Sequence, residues 1–327
     1  MERSIVIGID GGGTHTRALA VDLSGRTLAY SETGSANPHK DVNAKRHVRA
    51  AIAKALAMAD RNEEDVVSLV AGLAGMDKED DQIWADDFID LAGLNGKKKA
   101  VSDAWIAQVG ALGGIPGIVA ISGTGSIVFG INESGEQLRN YQFRQYAYST
   151  ARHLSYETVH RIIAGEYASE DTFLVSQMLD FWTVPNTEKL CQSVSASFME
   201  DRRECDRKFG GMGRIVTDAA DAGSPLAADV CDAAVRQLAT AIRLVGSRFR
   251  SDRIHVSFIG SVARSRYMKR RLEGELAKET MQPRTYVVQE PLYAPVAGAV
   301  LMASRQAGIT VTEEIRRNLG LSPYCTA

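Results

Sequence analysis

Little in this chain invites a disulfide, a zinc site or a membrane. Its four cysteines, Cys191, Cys205, Cys231 and Cys325, form no Cys-x-x-Cys pair and have no spacing suited to zinc. They read as reduced thiols, which leads us to expect a cytoplasmic protein. No apolar run approaches the roughly 18 residues that a membrane span requires. No leader is expected either, because Met1-Glu2-Arg3-Ser4 runs straight into a β-branched segment. Excess charge of one sign is also missing. A formal net charge of -2 leaves no bulk electrostatic case for nucleic acid or membrane as a partner. What remains, 327 residues with 45% hydrophobic and 24% charged side chains, is the composition of an ordinary globular protein long enough for about two domains.

The most informative stretch is Ile5-Val6-Ile7-Gly8-Ile9-Asp10-Gly11-Gly12-Gly13-Thr14-His15-Thr16-Arg17. A β-branched run delivers an aspartate to a triple-glycine turn, and a second strand from Thr16 to Val21 leads back out. Glycines at 11, 12 and 13 let backbone N–H groups approach phosphate oxygens and let the turn adopt positive φ. Thr14 and Thr16 add hydroxyl donors, and Asp10 at the strand end can hold a hydrated Mg²⁺. The alternative is a tight hairpin whose aspartate caps the turn. No Gly-Lys-Ser/Thr follows, so this is not a Walker A loop. The next segment reads as a strand, so it is not a Rossmann fingerprint.

Downstream, Thr27 to Thr33 reads as a third strand. The turn formers Gly34 to His39 include Asn37, whose amide offers the donor and acceptor that a sugar hydroxyl needs. A helix is expected over Val42 to Ala59, a buried strand over Val66 to Gly72, a second helix over Lys78 to Leu91 and a solvated loop at Lys97 to Lys99. The strand Ala100 to Ser102 ends on Asp103. A carboxylate at a strand's C-terminal end can accept the proton of an attacking hydroxyl; the competing reading is an N-cap assisted by Ser102.

The second half echoes the first. Gly117 to Ile121, the turn Ser122-Gly123-Thr124-Gly125-Ser126 and Ile127 to Ile131 repeat the strand, hydroxyl-rich turn and strand, which implies an internal duplication with a cleft between the halves. Residues 156 to 250 are mostly helical by period, with an exposed stretch at Glu200 to Lys208 and a flexible link at Gly210 to Gly213. Strands follow at Ile254 to Ile259 and Arg284 to Gln289. A small-residue helix from Val296 to Gln306 must pack closely on something.

Asp10 to Thr14, Gly72-Leu73-Ala74-Gly75, Ser102-Asp103-Ala104, Ser122 to Ser126, Ile259-Gly260-Ser261-Val262 and Ala294-Pro295-Val296-Ala297-Gly298-Ala299 occur in that order. The set resembles the BadF/BadG/BcrA/BcrD-type ATPases and, among them, the N-acetylglucosamine and glucosamine kinases of the actin/hexokinase/Hsp70 superfold. The resemblance implies an α/β protein of duplicated ribonuclease H-like domains with a nucleotide cleft between them. One domain would span 1–112, completed by a C-terminal helix of about 296–320; the other would span 113–295, with a helical insertion of about 156–250. It implies an ATP- and Mg²⁺-dependent sugar kinase, a small carbohydrate substrate and, as relatives often are, a homodimer. Asp103 falls on the catalytic base. Residues 10 to 16 and 122 to 126 fall on the phosphate loops, Gly260 and Ser261 on the adenosine pocket, and Asn37 and Thr124 on sugar contacts. An ATPase that activates a partner enzyme and a non-catalytic sensor are the other readings of the same set. One departure stands out. Where those kinases carry Gly-Trp-Gly and then Gly-Asp-Glu-Gly-Ser, this chain has Asn140 to Arg144 and Ser149 to Ser155. Arg144, Arg152 and His153 are thereby candidates for an anionic substrate.

Overall fold

A computed structural model describes residues 3–76, 78–200, 202–281 and 284–326, the side chains of 197–200, 202 and 203 excepted. The chain divides into two units, residues 1–116 with 290–327, and residues 117–289. The divisions fall a few residues from the expected ones. The segment after Glu290 stays with the first unit because Leu292 and Tyr293 donate backbone bonds to Ala111 and Gly110.

In the first unit, strands β1 (Ile5–Gly11), β2 (Thr16–Asp22), β3 (Thr27–Thr33), β4 (Val66–Leu73) and β5 (Lys97–Ser102) form one sheet in the order β3-β2-β1-β4-β5. The pairs β1–β2 and β2–β3 are antiparallel, while β1–β4 and β4–β5 are parallel. Lys97 to Lys99, expected as loop, are strand: pairing with Ser68, Leu69 and Val70 fixes their backbone, and Lys98 reaches Asp90. Every β1 residue is buried, as a central strand of β-branched residues should be. One sheet face packs on α1 (Ala44–Met58) and α2 (Asp81–Ile89) through Ile5, Ile7 and Ile9. The other, with Val6 and Val70, meets α3 (Asp103–Leu112) and the C-terminal α11 (Pro295–Gln306) and α12 (Glu313–Gly320).

The small residues of α11 find their reason there. A Cβ on Gly8 would stand 2.6 Å from the Val300 nitrogen, and one on Gly298 would stand 2.0 Å from the Ile106 carbonyl. The helix lies almost directly on β1 and α3.

The second unit repeats the plan. Strands β6 (Gly117–Ser122), β7 (Ser126–Ile131), β8 (Gln137–Arg139), β9 (Arg253–Ile259) and β10 (Thr285–Val288) lie in the order β10-β9-β6-β7-β8, with the same alternation of antiparallel and parallel neighbours. Strand for strand this is the first sheet again, so the duplication expected from the two turns is present.

Between β8 and β9 run α4 (Ala151–Ala164), α5 (Thr172–Trp182), α6 (Thr187–Glu200), α7 (Arg202–Gly211), α8 (Gly213–Asp221) and α9 (Pro225–Gly246); α10 (Arg266–Leu276) follows β9. Helix α4 starts five residues earlier than periodicity suggested. The stretch taken as an exposed face is α7, which buries Cys205 and Phe209, and the expected flexible link reduces to Met212 between two helices. Gly213 is required by contact: its Cβ would lie 2.5 Å from that of Ala151. Among the described residues no helix is long and apolar enough to cross a membrane.

Candidate active site

Strand register gathers the first unit's candidates at one sheet edge. Thr33, Thr16, Gly11, Leu73 and Ser102 are successive partners across β3, β2, β1, β4 and β5, and so form a single row. Beyond that row emerge the 12–15 turn, the loop after Thr33, Ala74-Gly75 and Asp103. Two backbone bonds tie the loops together, Ala36 N–H to the Gly12 carbonyl at 3.0 Å and Ala74 N–H to the Gly11 carbonyl at 2.7 Å. Residues scattered over about 90 positions of sequence thus share one edge, at the carboxyl ends of parallel strands where open α/β sheets place ligands.

Close packing, not positive φ, accounts for the glycines of the turn. None of Gly11, Gly12 and Gly13 has positive φ, contrary to the sequence expectation. A Cβ on Gly11 would lie 2.7 Å from both the Ala36 Cβ and the Leu73 Cδ2; on Gly12 it would lie 3.2 Å from the His15 carbonyl. Thr14 is exposed and open to a ligand. Thr16, expected as a phosphate donor, is wholly buried and donates its hydroxyl to the Gly34 carbonyl at 2.7 Å, so it braces the edge instead.

Asp10 is 8% exposed, and its Oδ2 lies 3.2 Å from Nη1 of Arg17, its direct partner on β2. Burial pushes the Asp10 carboxyl above its ordinary value, and Arg17 offsets part of that. Arg17 also reaches Glu32, its partner on β3, at 3.5 Å. Glu32 in turn accepts from the Tyr30 hydroxyl and lies 2.9 Å from His15. The sequence reading missed Arg17, although counting back from the turn would have paired it with Asp10. No group of three or more His, Cys, Asp and Glu side chains placed to hold a metal ion occurs among the described residues. A lone strand-end carboxylate fits a magnesium ion carried in on phosphates, not one caged by protein alone.

Asp103 is the first residue of α3, with its Oδ1 accepting the Ala104 N–H at 2.8 Å. Ser102 gives no capping bond, and its hydroxyl is buried without a partner, so the cap pictured from sequence is made by Asp103 alone. Asn37 is 9% exposed. Its Oδ1 accepts the His39 N–H at 2.9 Å and stands 3.1 Å from where a Cβ on Gly75 would be; Gly75 has φ of +93°, so glycine is needed there twice over.

In the second unit the Ser122–Ser126 turn is stitched on two sides. The Ser122 carbonyl accepts Val262 and Ala263 N–H, and its hydroxyl donates to the Ser149 carbonyl at 2.5 Å. Gly123 accepts the Ala151 N–H at 2.9 Å, and Ser126 and Ser149 share a hydroxyl bond of 2.8 Å. Gly260 has φ of +92°, and a Cβ there would press to 2.3 Å from the Ser122 carbonyl. Ser261 follows at once, its N–H 3.5 Å from the Cβ position of Gly123. Thr124 and Gly125 are exposed at the tip, and nothing lies within 4 Å of a Cβ on Gly125.

The rewritten segment lies beside this turn, because Ala151 opens α4. Arg152, expected to be available to an anion, is engaged: its Nη1 is 2.6 Å from Asp206 Oδ2, while the Tyr156 hydroxyl donates to Oδ1 at 2.5 Å. His153 Nδ1 is 2.9 Å from the Thr150 hydroxyl, and its ring meets Tyr148 edge-on; burial, with help from Arg152, holds it below its ordinary pKa. Arg152, His153, Tyr148, Tyr156, His160 and Asp206 line part of a cavity of about 520 Å³. Arg144 stands apart, exposed and in the left-handed region at φ of 59°.

Residues 7–156 match the sequence model of the BadF/BadG/BcrA/BcrD ATPase family. Over 247 residues, 73% of this chain and 78% of the relative, the chain is 27% identical to an N-acetylmuramic acid/N-acetylglucosamine kinase of Clostridium acetobutylicum. A shorter stretch, 41% of this chain and 46% of the relative, is 33% identical to an N-acetyl-D-glucosamine kinase of Dictyostelium discoideum. The fold matches a candidate N-acetylglucosamine kinase of Chromobacterium violaceum with a TM-score of 0.69 at 21% identity, covering 92% of this chain and 99% of that one. The resemblance drawn from the motifs therefore holds, as does the duplicated α/β architecture.

Proposed function

We propose that the chain is a kinase that moves the γ-phosphoryl group of ATP to a hydroxyl of an amino sugar. One observation carries the reading: the row from Thr33 to Ser102 sets Asp103 on the same sheet edge as Asp10 and the Gly11–Thr14 turn. The relatives, named as amino-sugar kinases, supply the substrate class.

In this reading Asp103 accepts the proton of the attacking sugar hydroxyl as the oxygen bonds to phosphorus. Asn37 orients the sugar through its side-chain amide. Backbone N–H groups at Gly13 and Thr14 and the Thr14 hydroxyl hold phosphate oxygens, as do Thr124, Gly125 and Ser126; Gly12 and Gly123 donate their N–H groups to the His15 and Gly125 carbonyls and so shape the two turns; Gly260 and Ser261 take the nucleoside. Asp10 would hold Mg²⁺, which when bound neutralises charge on the phosphates. Thr16 positions the loop after Thr33 and touches no ligand. Arg152 is already paired to Asp206, so it supplies no free positive charge for an acidic sugar.

The test is ADP release by the purified protein against a panel of sugars, with Asp103→Asn beside it. Turnover stimulated by N-acetylglucosamine or glucosamine, and reduced about 10²–10⁴-fold in the variant, is expected. No stimulation by any sugar, or an equally active variant, overturns the proposal.

A further inference from the structure

We propose that Lys40 is a phosphate-contacting residue, its ammonium bonding the terminal phosphoryl oxygens of a nucleoside triphosphate held by the Gly11–Thr14 turn. The inference rests on the nucleotide reading above and adds a residue that none of the sequence motifs contains.

Three observations carry it. The Lys40 side chain lies along the turn: from the position of a Cβ on Gly13, its Nζ is 3.1 Å away, Cδ 3.8 Å and Cε 3.9 Å. Glycine at 13 therefore leaves room for the lysine as well as for a ligand. Second, the lysine backbone is anchored. Lys40 N–H donates to the Asn37 carbonyl at 3.0 Å, the Asn37 side chain accepts from His39, and Ala36 N–H bonds to Gly12, so the 36–40 segment is strapped to the turn it overhangs. Third, its charge is uncommitted. Lys40 is exposed and makes no ion pair among the described residues, whereas Arg17 is engaged by Asp10 and Glu32, and the neighbouring Asp41 is engaged by His47 at 3.2 Å.

A flexible ammonium beside a cradle of N–H groups is a phosphate binder acting as a point charge. Position 40 lies on the same turn as Asn37, the candidate sugar contact. Lys40 thus reaches the phosphate turn from the sugar side, where the group in transit would pass.

Calorimetric titration of Mg-ATP and of Mg-ADP, without sugar, into the parent, Lys40→Met and Lys40→Arg tests this. Lys40→Met is expected to weaken ATP binding about tenfold or more, and ADP binding less. Lys40→Arg should retain most of the affinity, and added salt should narrow the gap between Lys40→Met and the parent. Equal ATP affinity in Lys40→Met overturns the proposal, and so does an equal loss for ATP and ADP, because the contact is then not to the terminal phosphoryl group. If the parent binds neither nucleotide, the kinase reading fails and this one with it, an outcome distinct from the other two. Lys40 is exposed, and melting of the same samples checks that each variant is folded.

Discussion

Asp10 and Arg17 are direct partners across the β1–β2 ladder, and the guanidinium Nη1 stands 3.2 Å from the carboxylate Oδ2. The pair is unequally buried: the aspartate side chain is 12% exposed and the arginine 41%. Its weight therefore falls on the aspartate, whose ionised form is the costly one.

Asp10→Asn should consequently stabilise the fold while removing metal-dependent nucleotide binding. Burial raises the folded carboxyl above its ordinary value of 3.8, so the folded chain holds that proton more tightly than the unfolded chain does. Ionisation at neutral pH then costs stability, and the cost disappears as pH falls through the folded value toward 3.8. Arg17 keeps Glu32 and solvent. A gain of about 1 kcal/mol, or roughly 2–4 °C in melting temperature at pH 7.5, should shrink near pH 4. A variant less stable than the parent at pH 7.5 would show that the Arg17 pair outweighs burial.

Thr16→Val should cost about 1–2 kcal/mol in urea unfolding of the first unit, because the Gly34 carbonyl loses its donor inside the protein. Thr16→Ser keeps the hydroxyl and should keep nucleotide affinity. Were Thr16→Val to lose nucleotide affinity with no change in stability, the bracing role would be wrong.

The two glycine turns predict opposite outcomes for one substitution. Gly11→Ala meets Ala36 and Leu73 at 2.7 Å and should cost about 1–3 kcal/mol of stability. Gly125→Ala meets nothing within 4 Å, so its melting temperature should match the parent. A loss of ATP affinity in Gly125→Ala, measured by the same titration, would then report the approach of the ligand itself.

His153 sets a pH dependence in the second unit. Its folded pKa is below the ordinary value of 6.5, chiefly through burial and then through Arg152, so the unfolded chain takes up the proton first. Stability from this group is complete above about 6.5 and falls as pH drops from there toward the depressed value. Melting curves between pH 7.5 and 5 should fall less steeply for His153→Gln than for the parent. Identical slopes would remove His153 as the cause.

Much of the framework around the candidate site is legible in the sequence. The β-branched run ending in Asp10-Gly-Gly-Gly specified a strand and a tight turn, because period and glycine act over a few residues. Two such turns in series specified the duplication, which the matching strand orders bear out. Order-specific motifs led to Asp103, and the local sequence offered its capping bond, but nothing in the sequence told that the Ser102 hydroxyl takes no part in it.

What only the tertiary structure decided is who faces whom. The positions of the two threonines suggested two phosphate donors; the sheet buried one of them against Gly34. The departure from the kinase motif at 149–155 made Arg152 a candidate cation for an anionic substrate, and the packing of α7 on α4 brought Asp206 to it. Lys40 carried no motif at all until the Ala36–Gly12 bond laid its side chain over Gly13. Local sequence determines which backbone conformations and hydrogen-bonding groups are available, since those depend on neighbours along the chain. Whether a given hydroxyl or charge is spent inside the protein or left for a ligand depends on contacts between segments far apart in sequence, and those exist only once the sheet has set its register.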